Sequence, residues 1–267
     1  MILEPVREQR WLRFVAPLAL GLVVLIAWEV AVRLYAVPVY ILPGPLAIAA
    51  ALVGEWTSLQ VALLVTLRIT MMALVAAIVL GVLLAVLFAQ SKLLERALFP
   101  YAVVLQVTPV VAIAPLVIIW AKDVTAALLI CAWIVAFFPI LSNTTIGLNA
   151  AERNLVDLFR LYRASRWQTL LRLLLPSALP YFFAGLRVSG GLALIGAVVA
   201  EFVAGTGGSA SGLAYVILEA GYRLQIPKMF AALVLISTIG IVLFLLLGLL
   251  GHLALRRWHE TEGAGET

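Results

Sequence analysis

Four stretches of this chain, residues 69–91, 97–121, 124–151 and 229–255, contain no Asp, Glu, Lys or Arg and are largely aliphatic. Each exceeds the roughly 20 apolar residues that a helix needs to cross the hydrocarbon core of a bilayer. Two further stretches qualify if one charge is tolerated, residues 14–28 with Glu29 near the far end and residues 177–200 with Arg187 inside. With no water to bond to, backbone N–H and C=O groups in hydrocarbon must pair within their own segment, which a helix does. The expected fold is an all-α membrane protein with six transmembrane helices, over about residues 14–35, 61–90, 98–121, 124–148, 178–204 and 229–254. These make a single domain, residues 1–258, followed by a disordered tail at 259–267. Composition agrees: 65% of the 267 residues are hydrophobic and 12% charged, against about half and about a quarter in soluble domains.

The 18 basic residues outnumber the 13 acidic ones, yet they cluster in short segments flanking the apolar runs. That is the mark of membrane topology rather than of nucleic-acid binding. Arg7, Arg10, Arg13, Lys92, Arg96, Arg153, Arg160, Arg163, Arg166, Arg172, Arg256 and Arg257 fall on one side of the membrane. Arg33, Lys122, Arg223 and Lys228 fall on the other, and Arg68 and Arg187 lie within spans. Twelve against four orients the chain with both termini in the cytoplasm. The single cysteine, Cys131, lies in an apolar run and excludes an internal disulfide or a cysteine metal cluster. No metal site and no catalytic residue is expected. The basic N-terminus precedes a first span with no small-residue cleavage site, so it reads as an uncleaved span rather than a signal peptide. Pro38, Pro43, Gly44 and Pro45 punctuate the next segment, which then reads as a short helix at the outer surface.

The cytoplasmic loop 150–176 carries five arginines between two spans. It reads as two short helices, the first capped by Asn154 and the second by Ser165, with Gln168 in the capping-box position. Leu155, Val156, Leu158, Phe159 and Tyr162 give the first helix an apolar face too large for a solvated loop. Either a soluble partner docks there or the helix lies on the inner leaflet with its arginines among anionic lipids.

Ionisable residues inside spans are functional candidates. Arg187 and Glu201 are fourteen residues apart, which places them within about 40° of one helix face. Measured from Pro180, they lie about 10 Å and about 31 Å along the helix. Arg187 and Glu201 are therefore candidates for the pathway or gate. Glu29 and Arg68 fall at the same outer depth as Glu201, and the three form a candidate structural ion-pair group. Ser189, Ala193 and Ala197 offer a small-residue stripe for close helix contact. The third span contains Pro109 and Pro115, each of which removes a backbone hydrogen bond. A break there can face a cavity or another helix, which makes Gln106 and Thr108 further pathway candidates. The segment GTGGSASG, residues 205–212, lacks the lysine of a phosphate-binding loop and reads as an external turn.

The stretch DLFRLYRASRWQTLLRLLLPSALPYFFAGLRVSGGLALIGAVVAEF resembles the cytoplasmic EAA loop and following helix of permease subunits of bacterial binding-protein-dependent ABC importers. The resemblance extends through LPGPLAIAAAL, TLRITMMALVAAIVLG and AFFPILSNTTIGL, and through the spaced prolines Pro100, Pro109, Pro115, Pro139, Pro176 and Pro180. Its nearest group imports taurine and other sulfonates, nitrate and thiamin pyrimidine precursors. The resemblance implies that Asp157, Leu158, Phe159, Tyr162, Arg163, Ala164 and Ser165 form the ATPase-coupling loop. It also implies an inner-membrane importer built from two copies of the chain, with two ATP-binding subunits, an external solute-binding protein and surrounding lipid. ATP and Mg would belong to the ATPase, leaving no cofactor on this chain. LFRLY and AYVILEAGYRLQIPKMFAAL are most similar to the pyrimidine-precursor importers. The family usually has a glycine where this chain has Arg163, so either the turn differs or Arg163 touches the partner. The rival from another class, an ion-coupled secondary transporter, requires inverted repeats and mid-membrane carboxylates, and neither is visible. A membrane scaffold would leave the loop and the broken span without a purpose.

Overall fold

A computed structural model describes residues 12–205 and 211–256. The expected tail at 259–267, most of the basic N-terminus and residues 206–210 lie outside the described residues. Among the described residues every regular element is helical: α1 (Leu12–Leu34), α2 (Pro45–Gly54), α3 (Trp56–Gln90), α4 (Lys92–Val107), α5 (Val110–Ala121), α6 (Val124–Asn149), α7 (Arg153–Leu161), α8 (Arg166–Thr169), a π-helical turn (Leu170–Leu174), α9 (Leu175–Ala204), α10 (Leu213–Tyr222) and α11 (Ile226–Leu255). Five helical stretches are long and apolar enough to cross a membrane, and a sixth span exists if α4 and α5 are counted together.

That sixth span is bent by 101°. The break falls at Thr108 and Pro109, where the missing proline N–H stops the α4 ladder and Thr108 caps it with its Oγ1 on the Val104 carbonyl at 2.7 Å. Pro115, expected to break the span as well, is accommodated inside α5. The helix that contains the fifth expected span, 178–204, is longer than the span itself: it is continuous from Arg166 through the π turn to Ala204. At 1.5 Å per residue this 39-residue rod is about 58 Å long, well beyond a hydrocarbon thickness of about 30 Å, so its first turns project from the membrane and carry the loop with them.

The core is a seam between α6 and α9, which run antiparallel. A Cβ on Gly196 would sit 2.8 Å from Ala132 Cα, and one on Gly185 would sit 2.7 Å from the Pro139 carbonyl oxygen. A Cβ on Gly147 would meet Ala178 Cα at 2.8 Å. Between these points Ser189 donates from Oγ to the Ala136 carbonyl at 2.6 Å. The stripe Ser189, Ala193 and Ala197 is fully buried, so the small residues allow close backbone approach here. The stripe is therefore consumed within the chain, against α6, and is not a surface for a second copy. α3 packs along the same pair, with Gly81 against Ile140 and Leu141. α1 stands apart: residues 15–27 are exposed, and it joins the rest near its end, through α2 and through Trp28 beside Phe230 at 6.2 Å.

Candidate functional site

By chain alternation the loop of α7 and α8 lies at one end of the bundle, where Lys92 also bonds Asn149. The short helices α2 and α10 lie at the other. Glu152 occupies the N-cap of α7, and Asn154, expected there, sits in the first turn and donates from Nδ2 to Glu152 Oε1 at 3.0 Å. The capping box at α8 is present as expected: Ser165 Oγ accepts from the Gln168 amide at 3.2 Å, and Gln168 Oε1 accepts from the Ser165 amide at 2.7 Å. Between the two helices Arg163 takes φ +53°. Ala164 N–H bonds the Phe159 carbonyl and Arg163 N–H the Arg160 carbonyl, both at 2.9 Å. This is the Schellman pattern, with Arg163 at the position glycine favours. The left-handed turn that glycine would favour is thus formed in spite of the arginine, at a cost of about 1 kcal/mol. Arg163→Gly is expected to return that amount and raise the melting temperature in detergent by a few degrees; a fall would mean that the arginine side chain contributes more than the strain costs.

The loop presents an apolar surface. Leu161 and Tyr162 are 79% and 78% exposed, Trp167 is 64% exposed, and Leu155 and Leu158 are also exposed. Phe159 is half-buried, lining a groove with Leu158, Tyr162, Ala164, Gln168 and Arg172. Leu161 and Trp167 were not among the expected coupling residues. The signal for Leu161 is its spacing of three from Leu158, which lengthens the same apolar strip.

At the other end the expected ion-pair group is replaced by two helix caps. Glu201 is 3% exposed and Thr66 is fully buried. Thr66 Oγ1 donates to Glu201 Oε1 at 2.8 Å and Oε2 at 3.1 Å, while itself accepting from the Leu213 amide at 2.9 Å. Ala214 N–H donates to Glu201 Oε2 at 3.0 Å. A carboxylate from α9 thus caps the N-terminus of α10, where the orphan amides and the helix dipole favour negative charge. Glu29 does the same for α2: Leu46 N–H donates to its Oε2 at 3.1 Å, and Arg33 Nε to its Oε1 at 2.6 Å. In both cases the helix is preceded by a glycine, Gly44 or Gly212, at which a Cβ would collide with the capping carboxylate. Among the described residues neither Glu29 nor Glu201 pairs with Arg68. Arg68 is two residues beyond Thr66, hence about 200° around α3, and its side chain is exposed.

Arg187 and Glu201 share the side of α9 that faces α10 and α11, but only the Glu201 end is covered. Arg187 is exposed, with its guanidinium carbon 3.8 Å from the centroid of the Phe244 ring on α11 and Gly248 just beyond. Beside it runs an open strip of α9 formed by Ala184, Val188, Gly191, Ile195 and Phe202. Gln106 is exposed on α4 and Thr108 is half-buried at the bend. Among the described residues neither hydrogen-bonds to Arg187 or Glu201.

A bundle of five or six apolar helices long enough to span a membrane, one of them running on into a paired-helix loop with exposed apolar side chains, defines a polytopic helical membrane protein. More particularly, the chain belongs to the family described as "Binding-protein-dependent transport system inner membrane component", whose profile matches residues 77–256. It is a multi-pass inner-membrane protein and a permease subunit of a binding-protein-dependent ABC importer. It is 37% identical to the riboflavin transport system permease protein RibX of Chloroflexus aurantiacus, over 91% of this chain and 91% of that one. It is 33% identical to the formylaminopyrimidine transport permease protein ThiX of Halalkalibacterium halodurans, over 85% and 90% of the two chains. Its fold matches the crystal structure of an amino acid ABC transporter with histidines, with TM-score 0.59 and 19% identity over 77% of this chain and 96% of that chain.

Proposed function

We propose that two copies of this chain form the membrane channel of an importer for a small nitrogen heterocycle of the pyrimidine-precursor type, driven by two separate ATP-binding subunits. The observation that carries this reading is the exposed apolar surface of Leu161, Tyr162 and Trp167 on a basic loop, built onto a helix that runs through the bilayer without a break in the chain. A surface of this kind needs an apolar partner, and the excess of arginine assigns it to the cytoplasm. Asp157, Leu158, Phe159, Tyr162, Arg163, Ala164 and Ser165 form the body of that docking element. ATP and Mg belong to the partner, and this chain performs translocation rather than catalysis. The α2 and α10 end then faces the external binding protein, and both termini are cytoplasmic.

The pathway follows the open strip of α9 between two copies. A guanidinium exposed within a span is costly against lipid and needs water or a partner, so Arg187 belongs to a cavity or to the dimer interface. Its planar group stacked near Phe244 suits stacking on a flat aromatic ring with hydrogen-bond acceptors at its edge. The two relatives named above are a riboflavin and a formylaminopyrimidine permease, which favours such a ring over a sulfonate or nitrate-type anion. The binding protein encoded with this chain is expected to show a rise in melting temperature of several degrees with formylaminopyrimidine or riboflavin, and none with taurine or nitrate. A shift with the anions alone would reject the heterocycle, and failure of an ATPase to copurify would reject the loop as its docking element.

A further inference from the structure

We propose that the contact of Thr66 with Glu201 is a transport-positioning clamp, which ties the external helix α10 to the rod carrying the ATPase-docking loop. The proposal rests on the importer reading above, and in particular on its assignment of the two ends. Its geometry is independent of that reading. Glu201 lies on the last turn of α9, which ends at Gly205 with φ +56°. The side chain does not face solvent: it is 3% exposed and is held by the Thr66 hydroxyl from α3 and by the Ala214 amide of α10. Thr66 closes the ring, because the hydroxyl that donates to Glu201 accepts from Leu213. Two further segments, α3 from 135 residues away and the start of α10 from 13 residues on, are thereby fixed to the one buried carboxylate of α9, and Gly212 leaves only enough room for that carboxylate.

What α9 connects gives the clamp more than a local role. The same rod begins at Arg166, one residue after the capping-box serine of the docking loop, and α6 holds it along its length through the glycine seam. α10 is buried along Leu213, Ala214, Val216, Ile217 and Ala220, and it ends in an exposed tip at Tyr222 and Leu224, the latter at φ +57°. A push on that tip by an external protein therefore has a stiff route inward: α10, its capped N-terminus, Glu201, α9, docking loop. Coupling of this kind needs a packed element that both ends bias. Glu29 supplies the internal comparison. It caps α2 in the same manner, but α1 is exposed along most of its length and does not lead to the docking loop. Losing that cap should cost stability without affecting communication between the ends.

The test uses the full complex, with its ATPase subunits, in lipid nanodiscs, and measures ATP hydrolysis with and without liganded binding protein. Thr66→Val removes both hydrogen bonds of the hydroxyl and keeps the volume. It is expected to lower the stimulated-to-basal ratio about fivefold or more, with the basal rate retained. Thr66→Ser should restore the ratio, and Glu29→Gln should leave it at the wild-type value even where it lowers the melting temperature. If Thr66→Val does not assemble, Glu201→Gln, which keeps the shape and one acceptor oxygen, is expected to show the same loss of stimulation. An assembled Thr66→Val or Glu201→Gln complex with a wild-type ratio overturns the clamp. So does an equal loss of ratio in Glu29→Gln, which would mark general destabilisation. A wild-type complex whose ATPase ignores the binding protein would reject the proposed assignment of the two ends, and the clamp with it.

Discussion

Gly196→Val is expected to leave little or no folded protein. A Cβ at residue 196 would stand 2.8 Å from the Ala132 Cα and 3.3 Å from its carbonyl oxygen. Both are backbone atoms, so no side-chain rotation relieves the overlap, and α6 and α9 would have to part along their seam. Overpacking a core that can relax costs about 1–3 kcal/mol. Here the parting would also disturb the buried Ser189 bond to Ala136 and the Gly185 contact with Pro139. The sum approaches the whole margin of a typical protein, about 5–15 kcal/mol. Gly191→Val is the matched control, since a Cβ there meets nothing within 4 Å. Size-exclusion chromatography after detergent extraction should show a monodisperse peak for Gly191→Val and aggregate for Gly196→Val. Equal yields and melting temperatures for the two would refute the seam.

The second large effect is expected at the docking loop, where Leu161→Asp should abolish uptake while sparing the fold. Leu161 is 79% exposed, so the carboxylate is fully solvated in the isolated permease and costs little there. In an apolar cleft of the ATPase it would be desolvated without a partner, at a cost of several kcal/mol, or about a hundredfold or more in affinity. Copurification of the ATPase should fail, while the melting temperature of the permease stays at the wild-type value. A normal yield of complex with normal uptake would exclude Leu161 from the interface.

The contrast between these two positions shows what could be read along the chain. The apolar runs were visible because burial in hydrocarbon is a sum over neighbouring residues, and the positive charges that flank them report orientation in the same local way. The capping box at Ser165 and Gln168 was legible for a similar reason, being complete within four residues. The Arg163 turn was noticed as a departure, but only the backbone showed that φ +53° is retained. Leu161 is legible only through its spacing of three from Leu158, because its exposure depends on how α7 sits against its neighbours.

The buried charges mark the limit of that reading. Glu29, Arg68 and Glu201 lie at one depth, and depth follows from counting residues at 1.5 Å each. Which of them meet depends on how each helix is rotated about its axis. Thr66 and Arg68 differ by two residues and point to opposite sides of α3, so the partners of Glu201 are a hydroxyl and one amide, those of Thr66 and Ala214. The N-termini of α2 and α10 carry no capping side chain of their own, and their caps come from other helices, 17 and 13 residues away. The small stripe of Ser189, Ala193 and Ala197 announced a close contact, and tertiary packing alone assigned it to α6. Pro109 announced a break, whereas the 101° angle depends on what α4 and α5 each pack against. The residue order was enough to locate the apolar spans and their expected orientation, because transfer from water to lipid is nearly additive along a helix. The tertiary structure alone decided which polar groups satisfy one another, because a hydrogen bond tolerates only a few tenths of an ångström, and that alignment is set by packing between segments far apart in the chain.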